Sequence, residues 1–364
     1  MDISIQNKSN KTKRRRNRRR NQINREMAST QDGLSFLKCA FAAPDFESDA
    51  VAGVPDEYNG RTICKKHRFV GSQLQSTTYD TFFLLLPTPG VAYWFAAVTA
   101  GSFPGASTQW TPVYYGDTAT LFPQDLETTT TEKFRYISNS LELICTSNAT
   151  QWAGSLTAWK FPISIISNQD LTINPSPLLQ AQSFSVTGLQ STSAVGPNNY
   201  CTPSNMGIFI NACHEQPSWQ FQPILNGLKA IPQQLPNVSD YGQLNGRIMG
   251  MGNLSGVCVR ISASTTNFVI KTWACIEYMV NTNSTIYDYT RTSPAYDPVA
   301  LLSYKTICNN LPIAVDYFHN ESFWQRILAM FMNTTKAASV LPGAPGAIAA
   351  GLNMVGEGMR GLFL

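Results

Sequence analysis

The sequence predicts an all-β body, an antiparallel sandwich or jelly roll, with a cationic arm at one end and an apolar tail at the other. Three observations carry this reading. Short stretches rich in β-branched and aromatic residues recur along the chain: DTFFLLLP (80–87), VAYWFAAV (91–98), FRYISNSLELICTS (134–147), WAGSLTAWKF (152–161), MGIFINAC (206–213), GVCVRISAS (256–264) and NFVIKTWACIEYMV (267–280). Clusters of Gly, Pro, Asn, Ser and Thr separate them, which is how strands joined by turns are punctuated. In the last stretch Phe268, Ile270, Thr272, Ala274 and Ile276 alternate with Val269, Lys271, Trp273, Cys275 and Glu277, the period-2 pattern of a strand. With 364 residues, 43% hydrophobic and 14% charged, the chain can bury a sizeable core. It is neither a wholly disordered polymer nor a highly charged coiled coil.

The net charge of +4 hides a split. Residues 1–26 hold ten Lys or Arg and two acidic residues, a net of +8; the rest holds 17 basic and 21 acidic, a net of −4. The run KTKRRRNRRRNQ (11–22) concentrates Lys11, Lys13, Arg14, Arg15, Arg16, Arg18, Arg19 and Arg20. With almost nothing to bury, residues 1–30 are expected to be disordered when alone. Each cation can neutralise a phosphate; if all ten engaged single-stranded RNA, the log–log salt slope would approach roughly −7. The arm has no aromatic residue to stack a base, so non-specific nucleic-acid binding is the expectation. A localisation signal or a solvated tail is the plain alternative.

From Gly33 the composition turns apolar. In LSFLKCAFAAPDF (34–46) one carboxylate, Asp45, stands among apolar residues. Desolvation would raise its pKa and keep it protonated, as a general acid requires. On the residues alone, an ordinary loop aspartate after Pro44 is the favoured reading. The polar stretches 102–132, 166–200 and 214–252 read as surface loops or small insertions. The eight cysteines form no CxxC pair, and no apolar leader opens the sequence, so reduced, mostly buried thiols are expected. No GxxxxGK[ST], HExxH, GxSxG or DTG motif is present. Asn148, Asn237, Asn253 and Asn283 start NxS/T triplets, read as compositional.

Toward the end, ESFWQRILAMFMN (321–333) puts Phe323, Trp324, Ile327, Leu328 and Phe331 on one helical face. Residues 337–356 follow without a charge. Pro342 and Pro345 make a membrane-spanning helix there unfavourable, at about 3 kcal/mol each. A buried amphipathic helix with a membrane-seeking tail fits better.

Several blocks in order resemble the capsid precursors of the insect nodaviruses (alphanodaviruses). They are GLSFLKCAFAAPDF, GVPDEYNGR, LPTPGVAYW, KFRY (133–136), TSNATQWAGSLTAWK, SAVGPNNY, KTWACIEY, ESFWQRI and SVLPGAPGAIAAG. The resemblance runs from about Gly33 to the end. It implies an eight-stranded jelly roll with protruding insertions that assembles into a T=3 icosahedral shell around positive-strand genomic RNA. It also implies one self-cleavage after an asparagine, which block matching puts at Asn320–Glu321, with Asp45 promoting it. The released peptide, Glu321–Leu364, would disrupt host endosomal membrane. The implied organisation is an arm over 1–30, a shell domain over 31–320 and a membrane-active peptide over 321–364.

The resemblance further implies a virion component made in the host cytoplasm and an unknown host receptor; surface loops within 166–252 are the expected receptor contacts, because exposed loops carry variable function. Two departures stand out. Relatives usually carry a small residue where Glu321 stands, and Asp316 adds a charge four residues upstream of Asn320. No cofactor is assigned. Calcium at subunit interfaces stays open without identified ligands: the matched positions fall near Thr129, Gln190, Ser218 and Asn226, none acidic, with Asp125, Glu127 and Glu215 the nearest carboxylates. Chelators are therefore expected to loosen the shell little. The reading from another class is a cellular RNA-binding β-sandwich without shell assembly. A secreted pore former comes third.

Overall fold

The computed structural model describes residues 30–41, 53–87, 90–104, 108, 110–116, 131–161, 165–167, 184–186, 199–212, 214, 219–223 and 254–317. Among these are fourteen strands and two α-helices. The strands are β1 (Arg61–Gln73), β2 (Tyr79–Leu85), β3 (Val91–Thr99), β4 (Thr111–Tyr114), β5 (Thr131–Cys145), β6 (Ser155–Phe161), β7 (Ile165–Ser167), β8 (Phe184–Val186), β9 (Asn199–Pro203), β10 (Ile208–Ala212), β11 (Gln222–Pro223), β12 (Gly256–Ile261), β13 (Phe268–Val280) and β14 (Arg291–Thr292). The helices are α1 (Gln31–Phe41) and α2 (Pro298–Asn310).

Two six-stranded antiparallel sheets carry the fold. One runs β10-β5-β13-β1-β14, with β11 also on β5; the other runs β4-β3-β2-β12-β6-β9; β7 and β8 pair separately. The consecutive strands β1/β2, β5/β6, β9/β10 and β12/β13 lie in opposite sheets. The inner faces meet in one apolar core. Leu141, Leu143, Ile208, Ile210, Ile270 and Ile276 come from the first sheet and Phe83, Leu156, Val257, Val259 and Ile261 from the second. The outer face of the first sheet packs against both helices through Ile137, Phe209, Trp273, Cys275, Phe36, Phe41 and Tyr304.

A β-bulge links these layers. On β13, Cys275 pairs with Ser138 and Ile276 with Tyr136, so Ile137 is passed over. The extra residue flips the parity of β5. Phe134 and Tyr136 therefore point into the core on one side of it, Leu141 and Leu143 on the other, and Ile137 turns out to the helices.

Each of the seven apolar stretches contributes a strand. β1 was not among them, and β4 lies within 102–132, which the sequence suggests is loop. Both helices are also additions to the sequence reading. α1 is capped by Thr30, whose Oγ1 accepts from the Gly33 N–H at 2.9 Å, and it has Asp32 in its first turn and Lys38 in its last. α2 starts on Asp297, whose Oδ1 accepts from the Ala300 N–H at 2.9 Å, followed by Pro298. The seven described cysteines are thiols.

Candidate functional site

The strand β10, IFINA, faces two ways. Ile208, Ile210 and Ala212 enter the core; Phe209 and Asn211 face the helices. Two distant segments are tied to that outer face. The Asn211 side-chain amide donates to Ala40 O at 3.2 Å, and Ser138 Oγ donates to Cys39 O at 3.0 Å. Both acceptors are last-turn carbonyls of α1, which have no partner inside the helix. Sheet side chains thus set where the chain leaves α1 at Phe41. Two residues away on β10, Phe209 pairs its backbone with Val315 in both directions, at 2.8 and 3.0 Å.

The next residues toward the C-terminus are held as well. Asp316 Oδ1 accepts from Thr202 Oγ1 at 2.9 Å and from the Tyr200 hydroxyl. Burial, and then this bond, push the Tyr200 phenol well up from its ordinary value. Gly207 has φ +65, and a Cβ there would stand 2.8 Å from Tyr317 Cβ and 2.5 Å from Leu143 O. Only glycine permits both the left-handed backbone and this approach.

Where the chain returns after the 42–52 segment, it meets a buried ionic network. Glu277 Oε2 accepts from the Val54 N–H at 2.9 Å and from Arg135 Nε at 2.7 Å; its Oε1 accepts from Thr62 Oγ1 at 2.7 Å. Arg135 also reaches Asp56 at 2.5 Å and Trp219 O at 2.8 Å, with its guanidinium 4.2 Å above the Phe221 ring. Directly beside this network the Asp297 N–H donates to Pro55 O at 3.0 Å, and Asp297 Oδ2 accepts from the Thr30 N–H at 2.6 Å and from Thr30 Oγ1 at 2.9 Å. One carboxylate thereby joins the N-termini of both helices, where the helix dipoles favour negative charge.

His214 is a buried strut of the same layer. Nε2 lies 3.0 Å from Tyr136 O, so that nitrogen carries the proton, and the ring packs 4.8 Å from Trp219 and 6.2 Å from Tyr304. Burial pushes its pKa down to about 4. The unfolded chain binds this proton near pH 6.5, so the stability His214 contributes is present above 6.5 and lost as pH falls toward 4. Between pH 7 and 5 the native chain is expected to lose about 2 kcal/mol more than a His214→Gln variant, read from urea midpoints. Equal losses in both chains would refute this. Burial also pushes the Cys64 and Cys258 thiols well up, which makes them poor nucleophiles.

A match to the peptidase A6 family covers residues 29–361. The chain belongs to the peptidase A6 family. It is 35% identical over 352 residues to capsid protein alpha of Flock house virus, covering 92% of this chain and 84% of that one. With capsid protein alpha of Pariacoto virus the identity is 30% over 363 residues, covering 94% and 90%. Among solved structures, T=1 particles derived from infectious bursal virus match at a TM-score of 0.51 and 9% identity, over 84% of this chain and 97% of that one. Infectious bursal disease virus strain Gx matches at 0.50 and 10%, over 80% and 99%. These likenesses to solved structures concern the fold alone.

In this A6-family chain the residues singled out from sequence lie outside the described residues. That holds for Asp45, Asn320 and Glu321, for the arm from Lys11 to Arg20, for Phe323, Trp324, Ile327, Leu328 and Phe331, and for the calcium-matched positions. The structure describes the segments that precede Asp45 and Asn320 in the chain, up to Phe41 and Tyr317. Asn211, Gly207, Asp297 and the Arg135–Glu277 pair were not anticipated. Only Asp297 carried a sequence signal, an N-cap residue before proline.

Proposed function

We propose that this A6-family chain is a viral coat-protein precursor that assembles into a T=3 shell around positive-strand RNA and then cuts itself once, between Asn320 and Glu321, with Asp45 as the acid. The observation that carries the reading is the fastening of Ala40 and Val315 to neighbouring positions of one strand, β10. Anchors two residues apart on a strand are separated by about 7 Å. Asp45 is four residues beyond Phe41 and Asn320 three beyond Tyr317, reaches of up to about 14 and 11 Å. Those reaches together exceed the separation of the anchors, which supports a reading in which the two side chains meet.

The chemistry needs no further group. The Asn320 side-chain nitrogen attacks its own main-chain carbonyl carbon, and the bond from that carbon to the Glu321 nitrogen breaks. The nitrogen that attacked loses a proton, and the departing amine gains one. The products are a C-terminal cyclic imide and a free amine on Glu321. A protonated Asp45 beside the carbonyl oxygen polarises it and assists departure. Holding the amide in attack geometry supplies much of the rate, so assembly is a natural trigger. Asp316 is hydrogen-bonded to β9, which keeps its charge engaged there.

In this reading the eight strands β1, β2, β5, β6, β9, β10, β12 and β13 form the jelly roll. Residues 1–30 bind genomic RNA, 31–320 build the wall, and 321–364 act on endosomal membrane after release, with Phe323, Trp324, Ile327, Leu328 and Phe331 as the lipid-facing side. Thr30 opens a helix packed on the first sheet and Val315 pairs along that sheet's β10 edge; in this reading the arm is turned to RNA. Subunits are made in host cytoplasm and function in the virion; the host receptor is unidentified.

Mass spectrometry of aged particles tests the cut. The intact 40.1 kDa chain is expected to give way to a shortened coat protein and a peptide spanning 321–364. An undivided chain would refute self-cleavage. Gly207→Ala is expected to displace Tyr317 and slow the cut about 10²-fold, as a 1 Å misplacement can, while particles still form. Unchanged cleavage kinetics would exclude that positioning role.

A further inference from the structure

Beneath α1 two cysteines meet. Cys39, on its last turn, is 1% exposed and Cys275, on β13, is 0% exposed, and their thiols share a hydrogen bond. Ser138 draws both backbones to one point. It is the cross-strand partner of Cys275; its Oγ donates to Cys39 O at 3.0 Å and accepts from the Cys275 N–H at 3.4 Å. On the other side of β13, Cys275 is paired with Lys66 of β1. Cross-strand partners project from one face of a sheet, so Lys66 stands beside the thiols, and Arg68 follows along the same face. The two thiols are unequal. The Cys39 S–H stabilises the Cys275 thiolate and pulls that pKa below its ordinary value; burial opposes this, and Lys66 and Arg68 assist it. The same bond, and then burial, push Cys39 well up. A thiol that ionises beside one that can resolve it is the arrangement of a redox pair. Cys258, with no such neighbour, is only raised.

We propose that Cys39 and Cys275 are an oxidation site, which hydrogen peroxide converts into a disulfide that staples α1 to β13. The Cys275 thiolate attacks one peroxide oxygen and the O–O bond breaks. The departing hydroxide takes up the proton released by Cys275 and leaves as water, and Cys275 becomes a sulfenic acid. The Cys39 sulfur then attacks the Cys275 sulfur. The S–S bond forms, the S–O bond breaks, and the Cys39 proton leaves with that hydroxyl as a second water. Two thiols have given up two electrons and two protons, and the peroxide has been reduced to two waters. Burial selects the oxidant: a molecule close to water in size can enter, whereas a disulfide such as oxidised glutathione is too bulky to engage either sulfur. The staple joins distant parts of the sequence, so it restricts the unfolded chain and raises stability. It also pins the last turn of α1, from which the chain runs on toward Asp45. A chain made in a reducing compartment acquires such a bond after it leaves; that timing rests on the coat-protein reading above, and the bond itself does not.

The test uses the full chain as unassembled subunits, so its outcome is independent of whether particles form. Folded chain is treated with hydrogen peroxide, then denatured, alkylated and digested for mass spectrometry. A peptide pair joining Cys39 to Cys275 is expected, lighter by two hydrogens than the separate thiol peptides and released by dithiothreitol. Thermal unfolding should move to higher temperature on oxidation and return on reduction. In Cys39→Ala the crosslink should be lost and Cys275 should stop at the sulfenic acid, trapped by dimedone. Exposed Cys201 reports that the oxidant was active. Recovery of Cys39 and Cys275 as alkylatable thiols after Cys201 has been oxidised overturns the inference. Crosslinks found only between copies, through Cys201, overturn it as well. Equal yield of the Cys39–Cys275 bond with oxidised glutathione would overturn peroxide as the selected oxidant.

Discussion

Replacing Arg135 by Met is expected to cost about 3–5 kcal/mol of subunit stability, the range for removing one partner of a buried ion pair. The side chains of Arg135 and Glu277 are 2% and 0% exposed. Without the guanidinium, Glu277 keeps the Val54 N–H and Thr62 but has a negative charge with no cation beside it; Trp219 O loses this donor, and Asp56 loses its cation and keeps the Tyr58 N–H. The double variant Arg135→Met with Glu277→Gln should recover a good part of the loss, because the uncompensated charge is gone. Urea midpoints of unassembled subunits measure both. A single-variant loss under about 1 kcal/mol would put the pair in the class of surface bridges and refute its structural role. The same network holds Val54, the first hydrogen-bonded residue after 42–52, so proteolysis in that segment should accelerate in Arg135→Met.

The legibility of the sandwich followed its chemistry. Stretches such as 80–87 and 267–280 announce themselves, the first as a continuous apolar run and the second by alternation, each between polar breaks. β1 does not, because Lys65, Lys66, His67 and Arg68 interrupt the apolar pattern. It is a strand because eleven of its residues pair with β13, and because His67 finds the Tyr278 hydroxyl at 2.8 Å inside the core. α1 is eleven residues long, too short for its period to stand out, and its stability comes from packing on the sheet rather than from propensity. α2 was readable from Asp297-Pro298.

The clamps were not legible at all. Asn211 and Ala40 are 171 positions apart, and Arg135 and Glu277 are 142. No local pattern encodes which distant carbonyl a strand asparagine will hold. Asp45 and Asn320 came only from the family resemblance: among many asparagines nothing in spacing or propensity singles out residue 320.

Replacing Asp45 by Asn is expected to leave assembly intact and stop the cut, with the cleavage rate falling by about 10²–10⁴-fold, the usual contribution of a positioned acid. The amide is nearly the same size, so packing changes little. It can still donate a weak hydrogen bond to the Asn320 carbonyl, but it has no proton to share with the departing Glu321 amine. Asn320→Ala should block the cut as completely by removing the attacking nitrogen. The pair separates two explanations: if assembly alone strained the bond, Asp45→Asn would cleave at the native rate while Asn320→Ala stayed intact. Mass spectra of particles sampled over days decide it. Glu321 adds a second lever. A carboxylate placed beside Asp45 would raise the latter's pKa by like-charge repulsion and hold it protonated at higher pH. Glu321→Ala is therefore expected to shift the alkaline limb of the cleavage profile to lower pH; an unmoved limb would mean the two carboxylates do not meet.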